Sequence, residues 1–483
     1  MIHTRSVLRL LAYIHLLVAA LMAISLALAF YYDEPEGIKA FSITEAAMLG
    51  FSLLLIAGTR GEKIVIKPKD SYLLVTLTWV LATAFGALPL FISGTFETYP
   101  QCYFEIMSGF TTTGATALSS IEDKMKSILF WRNMTNWLGG MGIVVLFVAL
   151  LPFMGTRGTS LVGAESVGPT KDKLTPKIQH TAFALWAIYA FFSLIQTLLL
   201  WIKIPLFDAV TVMFGTMGAA GFSAKNSSIG GYHSPYVDVV VTIFMIIAGS
   251  NFALYFKVLK GKWRDVIRDA ELRQYLLIIT VFTLLITLNL HSHNSYGSFF
   301  TAMRYAAFHV ASIITTTGFA TFDYNFWPAF SKTLLVMLFF VGGCAGSAGG
   351  GIKVIRISML LSLAKNAIRK RLHPEAVTPL IYSGSIVKPD VILSVAGFVA
   401  AYILTGFIGT LLFSLSGYDF ETCFTASFLL LGNIGIGMHD VGPSGNFSIF
   451  SDSLLTVGSF LMLVGRLELF TVYALFTKTF WKR

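Results

Sequence analysis

Charge is scarce in this sequence. Asp, Glu, Lys and Arg make up 12% of its 483 residues, against roughly 25% in a soluble globular domain. Hydrophobic residues reach 55% and aromatics 14%, and the mean hydropathy is +0.73. That balance excludes a water-soluble fold of this length, and it equally excludes disorder. Cysteine is nearly missing: Cys102, Cys344 and Cys423 are three in number and far apart, so no disulfide framework or CxxC metal site is available. Enzyme motifs are missing too, with no HExxH, no GxGxxG behind a strand and no usable Cys/His cluster. Gly346 to Lys353 resembles a phosphate-binding loop only superficially, because Ile352 stands where a Lys should follow the last glycine. Lys plus Arg number 35 against 25 acidic residues, a net charge of +10. On a soluble chain that would suggest nucleic acid.

What the sequence has in abundance is long apolar stretches. A helix that crosses a bilayer needs about 20 mostly apolar residues. Such crossings are predicted over 8–32, 41–58, 71–93, 133–155, 180–202, 236–259, 275–291, 332–362, 391–415 and 452–480. Ten is an even number, so both termini share one side. The first stretch is too long for a signal-peptide core, although Arg5, Arg9 and Ala27-Leu28-Ala29 imitate one. Four shorter apolar pieces, 100–112, 206–219, 299–316 and 419–433, each end in a Gly-containing polar stretch and read as re-entrant half-helices. Basic residues crowd Arg60 to Lys69, Arg157 to Lys177, Lys257 to Arg273, Lys353 to Lys388 and both termini. The alternate loops carry Asp33, Glu34, Glu36, Glu122, Asp123, Asp323 and Asp440. By the positive-inside rule the termini are cytoplasmic and the half-helices enter from outside. The surplus of base therefore records topology: no nucleic acid is called for, and the basic inner face suits anionic membrane lipid.

An internal repeat supplies the candidate site. Phe104-Glu-Ile-Met-Ser-Gly-Phe-Thr-Thr-Thr-Gly114 aligns without a gap on Phe308-His-Val-Ala-Ser-Ile-Ile-Thr-Thr-Thr-Gly318. Weaker copies are Gly218-Ala-Ala-Gly221-Phe-Ser223 and Gly432-Asn-Ile-Gly435-Ile-Gly437. The four key glycines are 107, 97 and 117 residues apart. Each unit reads span, half-helix, glycine turn, span. The expected divisions are an N-terminal two-helix extension over 1–69 and repeats over 70–165, 166–268, 269–375 and 376–483. A half-helix that breaks at mid-depth leaves carbonyls unpaired, at several kcal/mol each in lipid. Glycine can turn such carbonyls toward one axis, and four copies make rings of oxygen able to replace the hydration shell of K⁺. A single Thr-Thr-Thr-Gly is more simply a helix C-cap; four at matching positions favour a pore. The predicted fold is an all-α membrane protein of ten transmembrane helices, with four channel-like repeats around one pseudo-fourfold pore and two extra N-terminal helices.

Other features qualify this. Residues 342–351 hold six glycines in ten positions, Gly342, Gly343, Gly346, Gly349, Gly350 and Gly351, too many for a helix interior at about 1 kcal/mol each; a flexible intramembrane loop is expected. Arg466 stands in an apolar span, where a charge is a functional candidate by default; it is expected to face the cavity below the filter, set the barrier for cations and hold the glycine loop. Glu468, two residues on, is a poor helical partner for it. Glu105, Asp208 and Glu421 near the half-helix starts suit helix capping and a negative outer mouth. His309 takes the place matching Glu105 and reads as structural.

With Asn136-Trp-Leu-Gly-Gly-Met-Gly-Ile143, Lys171-Asp-Lys-Leu-Thr-Pro176, Gly342-Gly-Cys-Ala-Gly-Ser-Ala-Gly-Gly-Gly-Ile-Lys353 and Gly465-Arg-Leu-Glu-Leu469 added, the chain resembles the Trk/Ktr/HKT superfamily of potassium transporters over nearly its whole length. The extra N-terminal pair is similar to the TrkH/TrkG branch. The resemblance implies K⁺ uptake across the bacterial cytoplasmic (inner) membrane, a homodimer, and a cytosolic TrkA-like regulatory subunit binding NAD(H), ATP or ADP. It places the filter at Thr112, Thr113 and Gly114, at Ala220 and Gly221, at Thr316, Thr317 and Gly318, and at Asn433, Ile434 and Gly435. It makes the 342–351 loop, with Arg466, the gate beneath that filter. In plant relatives a Ser at the first filter position favours Na⁺; all four positions here are Gly, which favours K⁺. Ala219-Ala220 and Asn433-Ile434 depart from the Thr pairs, and no copy has the long TVGYG signature, so modest selectivity is expected. The rival readings are K⁺/H⁺ or Na⁺/K⁺ symport and a polytopic membrane enzyme.

Overall fold

The computed structural model describes residues 2–61, 64, 66–142, 145, 178–375, 379–382 and 385–482. Nearly all of the regular structure is helical; one two-rung hairpin, Ile381–Tyr382 with Ser385–Ile386, is the exception among the described residues. Helices α1 (Thr4–Tyr31) and α2 (Pro35–Gly58) form an antiparallel pair joined by a tight turn with Asp33 left-handed. The pair is fixed to the rest through that turn: both carboxylate oxygens of Glu34 accept from the first amides of α5 (Lys126–Gly140), from Lys126 N at 2.7 Å and Ser127 N at 3.1 Å. Those amides have no partner within their own helix, and the carboxylate complements the positive helix end.

Beyond this pair the chain repeats one order of elements. A long helix comes first: α3 (Pro68–Ile92), α6 (Ile178–Trp201), α11 (Ala270–Ser292) and α15 (Pro389–Ser414). A short one follows: α4 (Tyr99–Phe110), α7 (Leu206–Gly218), α12 (Phe299–Ile314) and α16 (Phe420–Gly432). Then come an irregular glycine segment and a second helix. The long helices begin where the sequence supplies caps. Pro68 occupies the first turn of α3, and Asp70 accepts from Lys67 N at 2.8 Å; Asp269 accepts from Leu272 N at 2.9 Å at the start of α11.

The second helices are interrupted more widely than expected: besides the glycine loop predicted within 332–362, the stretches at 236–259 and 452–480 are also broken. Among the described residues six helices are long and apolar enough to cross a membrane. The stretch at 236–259 is two helices, α8 (Pro235–Ala248) and α9 (Phe252–Leu259), bent by 90° at Gly249–Asn251. A short helix α10 (Trp263–Ile267) follows on the way to α11. The stretch at 332–362 is α13 (Ala329–Leu338), a non-helical glycine segment and α14 (Val354–Leu372). The stretch at 452–480 is α17 (Asp452–Arg466), α18 (Phe470–Leu475) and α19 (Lys478–Trp481). α5 ends at Gly140; apart from residues 141, 142 and 145, the remainder of 133–155, the basic loop to Lys177 and the Lys171–Pro176 motif lie outside the described residues.

Both chain ends meet at the start of α3. His3 N donates to Asp70 Oδ1 at 2.9 Å, and Lys69 Nζ reaches the carbonyl of Phe480 at 3.1 Å. The short helices pack inward, with α5 against α7, α8 against α12 and α17 against α4, so in the first, second and fourth units the second helix lies on the next unit's short helix.

Candidate functional site

The four short helices end in the same way. At the end of α4 the amide of Thr112 bonds Gly109 O at 3.0 Å and that of Thr113 bonds Ser108 O at 2.8 Å. The equivalents are Ala219 to Thr216 and Ala220 to Gly215, Thr316 to Ile313 and Thr317 to Ser312, Asn433 to Leu430 and Ile434 to Leu429, all between 2.8 and 3.3 Å. This pairing is the Schellman cap, which requires a left-handed residue just past the helix. Thr112 (φ 55°), Ala219 (55°), Thr316 (59°) and Asn433 (54°) supply it. Asn tolerates that conformation; a β-branched Thr held there is strained by about 1–2 kcal/mol. The helix C-cap read from a single Thr-Thr-Thr-Gly is thus present at the end of all four short helices.

Two residues further stand the four glycines, and they close a ring. A Cβ built on Gly114 would lie 2.0 Å from Gly221 N, and one on Gly221 would lie 2.6 Å from Gly318 O. One on Gly318 would lie 2.1 Å from Ile434 O, and one on Gly435 would lie 2.2 Å from Thr113 O. Each segment therefore touches the next, first to fourth and back to the first, with no room for any side chain. Gly114, Gly318 and Gly435 are also left-handed, at φ 78°, 78° and 90°; Gly221 is not.

The segments beyond the glycines close the same ring by hydrogen bonds. Ile121 N donates to Asn226 Oδ1 at 2.8 Å, joining the first and second units. Gly230 N donates to Ala320 O at 3.1 Å, Tyr324 Oη to Gly437 O at 2.6 Å, and Phe447 N to Thr116 O at 2.8 Å. Behind the first two segments lies a buried ion pair that sequence reading missed. Arg132 Nε meets Glu105 Oε1 at 2.6 Å; the side chains are 1% and 0% exposed. Arg132 also donates to Ser223 O at 3.2 Å and lies 3.5 Å over the Phe222 ring. Glu105 accepts in addition from Thr116 Oγ1 and Ala117 N, both at 2.8 Å. The expected place for Glu105 at an open outer mouth is thus corrected: it is a buried staple between a short helix and the segment after its glycine. The available signal for Arg132 was a charge at the edge of the apolar span 133–155, a weaker mark than the charge inside a span that singled out Arg466. His309 does the matching work in the third unit, its ring nitrogens 2.9 Å from Tyr305 O and 3.0 Å from Phe322 O.

On the other side of the ring lies the glycine stretch. Gly342 N bonds Ile352 O at 2.7 Å and Val354 N bonds Gly343 O at 3.2 Å, so the stretch leaves and returns at one neck. Its far end presses on the caps: a Cβ on Gly349 would lie 2.6 Å from Thr315 O, and one on Gly350 would lie 2.6 Å from Gly432 O. Gly350 N donates to Thr316 Oγ1 at 2.7 Å. Arg466 grips the stretch from across the ring, donating to Ala348 O at 2.7 Å and to Gly139 O and Gly140 O at 2.6 and 3.0 Å. Lys353 is the chief correction here. Counted on sequence with the inner-face loop 353–388, it is fully buried, and its ammonium donates to Gly349 O and Ser347 Oγ. Glu468 takes Arg356 Nη2 at 2.7 Å. Near the ring, Thr112 Oγ1 and Asn433 Oδ1 are buried without a hydrogen-bond partner among the described residues.

These features can be set beside known proteins. The sequence matches the family described as TrkH, Cation transport protein, over residues 37–482. The chain belongs to the TrkH family. It is 36% identical to the Trk system potassium uptake protein TrkH of Salmonella typhimurium, over 99% of this chain and 100% of that protein. It is 33% identical to TrkG of Escherichia coli K12 over 88% of each. The crystal structure of the potassium transporter TrkH from Vibrio parahaemolyticus superposes with a TM-score of 0.89 at 33% identity, covering all of both chains. The chain is a multi-pass membrane transport protein and not an enzyme.

Proposed function

We propose that this chain takes up K⁺ across the bacterial inner membrane through the ring at Gly114, Gly221, Gly318 and Gly435, which acts as a four-segment selectivity filter. The observation that carries the reading is the ring itself: four identical caps, interlocked in sequence order, with no space for a side chain at any glycine. The related proteins named for potassium uptake favour K⁺ as the ion. Thr112, Thr113, Ala220, Thr316, Thr317, Asn433 and Ile434 complete the filter, and the four units correspond to repeats over 70–165, 166–268, 269–375 and 376–483. The stretch from Gly342 to Gly351, lodged under the third and fourth caps and held by Arg466, is the gate in its closed position. The exposed basic end of α14, with Arg369, Lys370 and Arg371, is the docking place for a cytosolic regulatory subunit that binds nucleotide, and the transporter works as a homodimer with both termini in the cytoplasm.

The test is ⁸⁶Rb⁺ and Na⁺ flux in proteoliposomes for Gly114→Ser and Gly318→Ser beside the unaltered chain. Flux should fall at least tenfold or lose its preference over Na⁺. Unchanged flux and preference in both variants would overturn the filter assignment.

A further inference from the structure

The neck of the glycine stretch has a third rung that backbone does not make. Past Gly342–Ile352 and Gly343–Val354, the Cys344 amide turns away to Gly249 O at 2.8 Å, and the amides that follow on the two limbs are those of Ala345 and Ile355. Both donate to one carboxylate oxygen, Glu271 Oε1, at 2.8 and 3.2 Å. Glu271 stands in the first turn of α11, outside the stretch, and is only 7% exposed. Ile355 is the second residue of α14, so its amide is one that the helix cannot satisfy, and the carboxylate also complements the positive helix end. The side chains of Ala345 and Ile355 meet in a small apolar cluster, with Met359 and Val395, that is separate from the main core. Three residues along α11, Gln274 holds the Ser358 hydroxyl, a second tie to the same helix.

We infer that Glu271 is a positioning residue for the gate: its carboxylate clasps the two limbs of the glycine stretch together, and freeing that clasp lets the stretch leave the underside of the filter. The inference rests on the reading of the stretch as the gate. A charge-assisted bond shared by two buried amides has no substitute nearby, because an amide left unmade in the interior costs more than the bond contributes. Displacement of α14, whose far end is basic and exposed, draws Ile355 away from Glu271 before it disturbs the deeper rungs.

The stretch carries its own reporter. Cys344 adjoins Ala345 and is fully buried, while Cys423, also fully buried, sits in α16 well away from the clasp. In the full-length chain in proteoliposomes, N-ethylmaleimide labelling is followed with Cys344 as the sole cysteine and, separately, with Cys423 as the sole cysteine. Each is compared for Glu271, Glu271→Gln and Glu271→Asp, with ⁸⁶Rb⁺ uptake measured alongside. Gln keeps the shape and loses the charge; Asp keeps the charge and falls one methylene short of reaching both limbs. Either variant should raise Cys344 labelling and uptake by about tenfold and leave Cys423 unlabelled. Faster Cys344 labelling with unchanged uptake upholds the clasp and overturns the gate reading. Unchanged Cys344 labelling in both variants overturns the clasp. So does equal exposure of Cys423, or failure of both variants to fold, since either makes Glu271 a general structural residue.

Discussion

Removing one partner of the Arg132–Glu105 pair should loosen the second filter segment measurably. Arg132→Met keeps the stem and packing but leaves Glu105 fully buried with two hydrogen bonds and no counter-charge. It also removes the bond to Ser223 O, two residues past Gly221, and the contact over Phe222. A buried pair broken on one side costs about 3–5 kcal/mol, while Glu105→Gln, which strands the guanidinium on one carbonyl and one ring, falls in the same range. In the double variant neither charge remains to be stranded. The double should therefore be milder than the sum of the singles by about 1–3 kcal/mol. Unfolding of the detergent-solubilised protein gives the three stability differences, and the ⁸⁶Rb⁺/Na⁺ flux ratio gives the effect on the filter. The ratio should drop most in Arg132→Met, since Ser223 then loses its anchor. Strictly additive stabilities together with an unchanged flux ratio in Arg132→Met would refute the reasoning.

Further outcomes follow from the ring and the stretch beneath it. Gly114→Ala meets both a contact of only 2.0 Å and a left-handed backbone, whereas Gly221→Ala meets a contact of 2.6 Å alone. The first should therefore be the less stable by about 1–2 kcal/mol, as thermal unfolding reads. Thr316→Val keeps the shape but removes the acceptor for Gly350 N, so basal uptake should rise about five- to tenfold with selectivity kept. Lys353→Met removes the buried ammonium that holds Gly349 O; basal uptake should rise while the flux ratio stays constant, and a fall in uptake would count against its role as a tether.

Periodicity and repetition were legible in the sequence because they are imposed by the solvent. Long apolar runs gave the long helices, and the four short ones were found within a few residues of their bounds, 206–219 against Leu206–Gly218 for example. The glycines were legible because four copies of one motif leave a spacing. The breaks in the second helices were legible only in part: the six glycines of 342–351 announced the one in the third unit, whereas those at Gly249–Asn251 and after Arg466 carried no such mark. Ala248 to Phe252 falls inside the predicted crossing 236–259, and hydropathy does not register that Gly249 must nestle against Thr315, where a Cβ would lie 2.6 Å from the side chain. Glu271 and Lys353 were counted with basic inner-face loops for the same reason: burial there depends on a stretch of chain folding back over them, a tertiary fact without a local signature.

The buried cations become intelligible together with those breaks. A helix that stops at mid-depth presents its last carbonyls to a region without water, and its C-terminal end carries partial negative charge. α5 stops at Gly140, and the carbonyls of Gly139 and Gly140 are the ones that Arg466 takes. Arg466 itself is the last residue of α17, with its remaining reach spent on Ala348 O of the glycine stretch. Its charge is thus held by the dipole and carbonyls of a neighbouring broken helix, and the same bonds make it a strut between the first unit, the fourth unit and the stretch. The broken second helices and the charges in the membrane are accordingly two sides of one requirement. Breaking the helix frees carbonyls where lipid cannot meet them, and the Arg466 guanidinium, brought from another unit, meets those of Gly139 and Gly140, which ties the units together beneath the glycine ring.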